Sequence, residues 1–301
     1  MSRELWTVAE LASAAAGYLT RKGIETSRLD ADLMLADVLG WTRIDLYTRF
    51  DMPVDSHARA RYRELIRRRG RREPLAYILG RREFFGLDFA VGPGVLVPRP
   101  ETEGLVEATL TLMEGRSRFR VLDLGTGSGC ILLAILSRFP EAHGEGWDRS
   151  AEALEYARRN AADLGLDHRA TFVERDLLKT LGAGPPPRVD LVVSNPPYIR
   201  PDEGWDLMPE VRDHEPAAAL FDREGDGLSF HRAILAAFRH LDPMPWVVLE
   251  LPGWGGESLR TWWKDQGAGD LRVVADLSGQ ERVLIAAGGE TFRHPEPLDA
   301  S

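Results

Sequence analysis

Arg120-Val121-Leu122-Asp123-Leu124-Gly125-Thr126-Gly127-Ser128-Gly129 is the stretch that decides the fold. Its first half is an apolar run of strand length. Its second half alternates glycine with small polar residues, and an apolar segment of helical length, Cys130 to Phe139, follows at once. A buried strand that turns directly into a helix belongs to a parallel sheet, because parallel neighbours need a crossover between them. Glycines at such a turn let the backbone approach a ligand and leave helix-start N–H groups pointing at it. The spacing is G-x-G-x-G, unlike the G-x-G-x-x-G of dinucleotide sites. By itself the loop does not identify the ligand.

The next strands narrow the choice. A second strand begins at Ala142 and ends at Trp147-Asp148, about twenty residues past the loop, where an acid accepts hydrogen bonds from ribose hydroxyls. Ser150 caps a helix over 151–164. A third strand, 170–174, ends at Arg175-Asp176-Leu177, so that Asp176 is placed to accept from an adenine amine and Leu177 offers a backbone N–H and an apolar face. Gly125, Thr126, Gly127, Ser128 and Gly129, with Asp148, Asp176 and Leu177, thus outline an adenosine site at the carboxyl edge of a parallel sheet.

The fourth strand is Val189 to Val193, apolar except for Asp190, and it runs into Ser194-Asn195-Pro196-Pro197-Tyr198. Neither proline has an N–H to give a ladder, so the chain leaves the sheet stiff and extended. The side-chain oxygen of Asn195 and the carbonyl of Pro196 become two fixed acceptors in a short arc. An –NH2 on a planar nitrogen has two donors to match them, and the Tyr198 ring can lie against its flat face. This predicts a site for methylating an amide or an exocyclic amine, against the plainer reading of a proline turn after a strand.

Beyond it, 182–187 is a surface connection, and a polar loop passes Trp205 and Met208 to Glu215-Pro216. A helix follows at 228–241, a fifth strand at 246–251, a helix at 258–266 and two closing strands at 271–276 and 282–286. The expected class is α/β, a Rossmann-like sheet of seven strands, mostly parallel with the last antiparallel. The tail from Gly288 is expected to be disordered. Cys130 reads as a packed core thiol. His231 and His240 read as surface or helix-end residues. The seven histidines show no metal-like spacing, so no metal is expected.

Upstream, the pattern is helical. Thr7 and Glu10 form a capping box for a helix with Val8, Leu11, Ala15, Tyr18 and Leu19 on one face. A second helix from Ser27 turns Leu29, Leu33, Ala36 and Leu39 inward and stops at Gly40. A third covers 42–50 and a fourth 55–69. Glu83 to Val91 reads as a hairpin with Gly86 near its turn. The expected domains are a helical recognition bundle at 1–73, a hairpin connector at 74–103, a catalytic domain at 104–290 and a tail at 291–301. Between Arg59 and Arg82, ten arginines against Glu64 and Glu73 leave a local charge of +8. That run is either a solvated helix face or a docking patch whose field speeds encounter.

Composition sets the limits. A chain of 301 residues with 44% hydrophobic content has ample core for about two domains. No window is long and apolar enough for a membrane span, and the first residues lack a signal-peptide profile. One cysteine excludes an internal disulfide framework. The net charge of −9 argues against general nucleic-acid binding. A cytoplasmic enzyme, monomeric and without stable nucleic-acid or membrane binding, is expected.

Several pieces fall together over 71–290: Pro74-Leu75-Ala76-Tyr77-Ile78-Leu79-Gly80, Phe84-Phe85-Gly86-Leu87, Val95 to Glu103 with its P-R-P-E-T-E, Leu122 to Gly129, Asn195 to Ile199, and Glu215-Pro216. Together they resemble the release-factor glutamine methyltransferases, the PrmC/HemK family. N-P-P-Y alone is shared with DNA adenine and RNA guanine methylases, whereas P-R-P-E-T-E is far more specific. The related ribosomal-protein glutamine methylases typically carry P-R-S-P there. The resemblance implies S-adenosylmethionine as donor and, as acceptor, the glutamine of the Gly-Gly-Gln tripeptide of class 1 peptide chain release factors. It places Asn195, Pro196 and Tyr198 in catalysis and Asn195 beside the donor as well. Asn195, Pro196, Pro197, Tyr198, Phe84, Phe85, Arg99 and Glu101 are expected to meet the substrate, the phenylalanines as walls. Two rivals stay open: a nucleic-acid amine methylase reading a flipped base, and a non-catalytic cofactor-binding scaffold.

Overall fold

The computed structural model describes residues 6–222 and 225–287. The tail from Gly288, expected to be disordered, lies outside them, as do 288–290 of the expected catalytic domain. The chain divides into two units. The first runs to Arg81 and takes in Leu207–His214; the second holds Arg82–Asp206 and the chain from Glu215 onward.

The first unit is helical apart from a two-residue ribbon, β1 (Trp6–Thr7) with β2 (Pro53–Val54). α1 (Val8–Arg21) starts at a complete capping box: Thr7 accepts from the Glu10 amide, and the Glu10 carboxylate accepts from the Thr7 amide at 3.1 Å. α2 (Ser27–Leu39) ends at Gly40 in the left-handed conformation. α3 (Arg43–Thr48) carries a second capping box, Thr42 with Asp45, and Asp55 caps α4 (Ser56–Gly70). α5 (Leu75–Leu79) falls in a stretch expected to be a connector, and the unit extends eight residues past the boundary expected at 73.

Of the α2 residues expected to face inward, Ala36 is buried and Leu33 and Leu39 are half-buried, but Leu29 is 38% exposed; Ala31, Met34 and Leu35 are buried together with Asp30 and Asp32. The cause is a partner from outside the helix: the Arg69 guanidinium on α4 donates to Asp30 at 2.6 Å and turns that carboxylate inward. The same guanidinium donates to Glu210 at 2.8 Å, and Arg72 donates to the other oxygen of Glu210 at 2.7 Å. These four residues hold residues 207–214, expected to be loop, within this unit.

At the start of the second unit a hairpin, β3 (Arg81–Phe84, its first residue the last of the first unit) and β4 (Leu87–Ala90), turns on Phe85 and Gly86, with φ of 55° and 76°. Two consecutive positive φ values make the turn whose twist matches the strands. A 3-10 turn, Pro100–Thr102, leads into α6 (Glu103–Leu112). The sheet elements then follow in sequence: β5 (Arg120–Leu124), α7 (Cys130–Arg138), β6 (His143–Asp148), α8 (Ala151–Asp163), β7 (Ala170–Glu174), α9 (Leu177–Ala183) and β8 (Leu191–Ser194). Next come α10 (Pro209–His214), α11 (Ala217–Leu220), α12 (Ser229–Phe238), β9 (Trp246–Glu250), α13 (Gly256–Asp265), β10 (Leu271–Ala275) and β11 (Glu281–Ala286).

The seven strands lie in the order β10-β11-β9-β8-β5-β6-β7. β11 is antiparallel to both its neighbours and the other pairs are parallel. This is the expected Rossmann-like methyltransferase sheet. Alternate residues of its central strands feed two cores. Val121 and Val193 pack on the α7 side, while Leu122, Leu124 and Val192 pack on the side of α12 and α13. Strand order reverses between β5, paired to β6, and β8, and ligands of open α/β sheets bind at the carboxyl ends of the strands at such a point.

Candidate active site

A cavity of about 460 Å³ opens at this reversal, within the usual range for a small-molecule site. Gly125, Asp148, Asp176 and Asn195, the residues ending or following four strands, all line it. The glycine loop is tied to β6: the amides of Gly125 and Thr126 both donate to the Trp147 carbonyl, at 2.8 and 2.9 Å. Gly125 and Gly127 have φ of 75° and 55°, the left-handed region that favours glycine. Below the loop, Thr126 Oγ1 donates to Asp123 at 2.6 Å, and burial pushes the Asp123 carboxyl up to about 7. Gly129 closes the motif but does not line the cavity; a side chain there would press on Leu133, Ala157 and Phe172.

Asp148 accepts one backbone amide on each oxygen, from Gly127 and Ser150, both at 2.9 Å. A carboxylate has about four lone-pair sites, so acceptor capacity remains for an outside donor. Burial raises its pKa above the ordinary value. Asp176 caps α9, accepting from the Lys179 amide, and this bond holds its pKa low. Leu177 lines the cavity and opens α9, so its amide is one of those with no carbonyl partner inside the helix. The Arg175 guanidinium lies 4.9 Å from the centre of the Trp147 ring, beside these tips.

Asn195, Pro196 and Pro197 line the cavity directly. Asn195 Nδ2 donates to Thr102 Oγ1 at 3.1 Å, and Thr102 Oγ1 donates to Glu250 Oε2 at 2.5 Å. Tyr198 lies apart from the lining; its hydroxyl donates to Glu250 Oε1 at 3.4 Å, and burial raises its pKa. Glu250 ends β9 at 3% exposure, and burial pushes its carboxyl up to about 7. Arg99 also lines the cavity, and its guanidinium donates to Glu215 at 2.7 Å, while the other Glu215 oxygen accepts the Val97 amide at 3.1 Å.

Besides Gly129 and Tyr198, expected at the ligand and found off the lining, three further expectations need correction. Phe84 and Phe85 do not wall the cavity: Phe84 is a core residue, its ring edge-on to Phe89 at 6.1 Å, and Phe85 sits in the hairpin turn under the Arg138 guanidinium. Glu101 is exposed and outside the lining; the residue of its segment that reaches the site is the next one, Thr102. His231 is fully buried, donating from Nε2 to the Glu250 carbonyl at 2.8 Å, and burial lowers its pKa to about 4. Cys130 is buried as expected, its thiol pushed up to about 12. Thr102 and Glu250 were not anticipated as site residues. The signal for Glu250 was its place, a lone acid closing the fifth apolar strand.

Residues 10–80 match the model of the PrmC N-terminal domain, and residues 103–210 that of the methyltransferase small domain. Among solved structures, the hMettl16 catalytic domain, in complex with the MAT2A 3'UTR hairpin 6, matches with a TM-score of 0.56 over 75% of this chain and 83% of that one, at 18% identity, a likeness of fold. The release factor glutamine methyltransferase of Burkholderia pseudomallei is 44% identical over 87% of this chain and 91% of its own length. That of Geobacter sulfurreducens is 42% identical over 93% of this chain and 96% of its own. Likeness of this degree along almost the whole of both chains means that this chain belongs to the release factor glutamine methyltransferase family.

Proposed function

We propose that this chain methylates the side-chain amide nitrogen of the glutamine in the Gly-Gly-Gln tripeptide of class 1 peptide chain release factors. It is a methyltransferase whose methyl donor is S-adenosylmethionine. The observation that carries the reading is the placement of Asn195. Its amide nitrogen is engaged by Thr102, so the carbonyl oxygen is the end left for an outside donor, on a cavity whose other strand tips carry Asp148 and Asp176.

The lining suits a nucleoside-bearing donor. Asp148 has spare acceptor capacity for ribose hydroxyls. Asp176 and the Leu177 amide, both on the cavity wall, offer an acceptor and a donor that an adenine edge could use, and Gly125, Thr126, Gly127 and Ser128 bring backbone to that wall. When bound, S-adenosylmethionine supplies an electrophilic methyl group on a sulfonium.

A glutamine amide nitrogen is a poor nucleophile because its lone pair is delocalised into the carbonyl. Asn195 Oδ1 and the Pro196 carbonyl accept its two hydrogens and aim the nitrogen. Orientation of this kind can lower a barrier by about 7–11 kcal/mol in favourable cases. No strong base is required beforehand, since the nitrogen becomes acidic once alkylated. Tyr198 supports this arc from behind through Glu250 rather than stacking on the acceptor. We assign Arg99, which lines the cavity and is held by Glu215, to the incoming peptide.

We take the chain to act in the cytoplasm as a monomer without stable nucleic-acid binding, in keeping with its net charge of −9. No described helix is long and apolar enough to cross a membrane. The deciding experiment incubates purified chain and labelled S-adenosylmethionine with a release factor, the same factor with its motif glutamine replaced by alanine, a ribosomal protein, and DNA. Label on the first alone is expected. Label on DNA or the ribosomal protein instead would favour the corresponding rival.

A further inference from the structure

The active arc depends on an ambiguity that the fold must resolve. A carboxamide has a donor end and an acceptor end of nearly the same size and shape. Only the acceptor end of Asn195 can hold the hydrogens of an incoming amide. Turned over, Asn195 would present its own NH2 to the acceptor's NH2, donor against donor. Its neighbour Thr102 cannot settle this alone, because a hydroxyl both donates and accepts and would satisfy either orientation.

We propose that Glu250 is a positioning residue that acts through Thr102 to hold the acceptor end of Asn195 toward the cavity, an inference that rests on the function given above. An ionised carboxylate only accepts. Glu250 Oε2 lies 2.5 Å from Thr102 Oγ1, so the Thr102 proton is directed to Glu250. Thr102 Oγ1 then presents only lone pairs to Asn195, and only Nδ2, at 3.1 Å, can approach it. The direction of every bond in the chain follows from the carboxylate at its end.

The carboxylate is itself held from several sides. Tyr198 donates to Oε1, the oxygen that Thr102 does not use. His231, from α12, donates through Nε2 to the backbone carbonyl of Glu250, fixing the residue at the end of β9. β9 pairs in parallel with β8, the strand that delivers Asn195, with Leu249 opposite Ser194. Arg282 and Glu101 are the other charges that bear on it. Thr102 and Glu250 are 2% and 3% exposed, so bulk water does not compete for these bonds.

The test uses full-length chain at pH 8.5, above the value of about 7 to which burial pushes Glu250. Wild-type turnover with release factor is measured first and tests the functional reading on its own; the ratio of each variant to wild type tests this one. Thr102→Val removes the hydroxyl with little change of shape, and Thr102→Ser keeps it. Thr102→Val is expected to lower kcat about thirtyfold with the donor KM within about threefold of wild type, as for loss of an interaction made in the transition state. Thr102→Ser should recover kcat to within about threefold. Equal turnover by the two variants would overturn the proposal, because the hydroxyl would then not be the link. Glu250→Met, which removes the acceptor and leaves Thr102 intact, gives an independent reading. A kcat loss like that of Thr102→Val supports the relay, and wild-type kcat overturns it.

Discussion

Two sets of buried carboxylates, one in each unit, are held in opposite ways. In the helical unit Asp30 and Glu210, at 2% and 7% exposure, close on the Arg69 guanidinium, with Arg72 completing the set. Charge meets charge: Arg69 gives one bond to each carboxylate, and Arg72 takes the second oxygen of Glu210. In the sheet unit Glu250 is just as buried, yet its carboxylate meets two hydroxyls, Thr102 and Tyr198, and no guanidinium within ion-pair range among the described residues. The difference teaches what each is for. A buried acid paired to arginine ties remote pieces of chain together. A buried acid given only hydroxyls is left energetically exposed, and such an arrangement persists where its direction is used.

The sharpest way to break the comparison is to remove the cation from the first set. Arg69→Ala leaves Asp30 with no partner of comparable strength and Glu210 with Arg72 alone. Breaking a buried pair in this way destabilises by about 3–5 kcal/mol. Urea unfolding would measure it. A loss below about 1 kcal/mol would put these ion pairs in the class of surface pairs and erase the contrast.

The matching change in the second set should have the opposite sign. Burial raises the Glu250 carboxyl from its ordinary 4.5 to about 7, so between those values the folded state binds more protons than the unfolded. Stability contributed by this group is present below about pH 4.5 and is lost as pH rises through about 7. Glu250→Gln does not titrate. Relative to wild type it should therefore gain up to ~3 kcal/mol in going from pH 4.5 to pH 8.5. Asp123 and His231 also titrate with shifted values, but they do so in both proteins and cancel in the difference. A constant difference across that range would show that Glu250 is solvated like a surface acid.

Asn195→Ala tests what the second set serves. The prolines stay, so the backbone remains stiff and the fold survives. The lost acceptor matters most as the reacting nitrogen gains positive charge, so the loss falls on kcat and spares donor affinity. It should be about a hundredfold, or ~2.7 kcal/mol, as for one oriented transition-state partner. Near-wild-type turnover with release factor would sink the role given to Asn195 and return the scaffold reading to contention.

The sheet and the line of strand tips were legible because they are local. An apolar run of strand length, glycines at a turn and two prolines after a strand each carry their reason within a few residues. Asp148, Asp176 and Asn195 therefore align on one edge from the sequence alone, and all three line the cavity. What escaped is non-local. Thr102 and Glu250 lie 148 positions apart, and a hydrogen bond at that distance leaves no periodic mark. The inward face of α2 is legible only in part, because Arg69, 39 positions from Asp30, outweighs the spacing of the leucines. Phe84 was misplaced for a different reason: an aromatic pair looks the same in a sequence whether it walls a cavity or fills a core.

The arginine run from 59 to 82 carries the comparison down to the surface, where the smallest effect is expected. Much of the run is engaged inside the unit. Besides Arg69 and Arg72, Arg68 forks onto Glu73, and Arg61 and Arg81 both reach Asp37. Reversing those charges would disturb folding and say little about docking. Arg63 and Arg71 are exposed and make no ion pair among the described residues. Exposed charges act on encounter through a screened field that fades over about 8–10 Å at physiological salt. Arg63→Glu with Arg71→Glu should therefore leave stability and donor affinity in place, slow association with release factor by about threefold at low salt, and flatten its salt dependence. Stopped-flow association at two or three ionic strengths is the measurement. An unchanged rate with an unchanged salt slope would mean that the run is an internal tie like Arg69, with its outward members merely solvated.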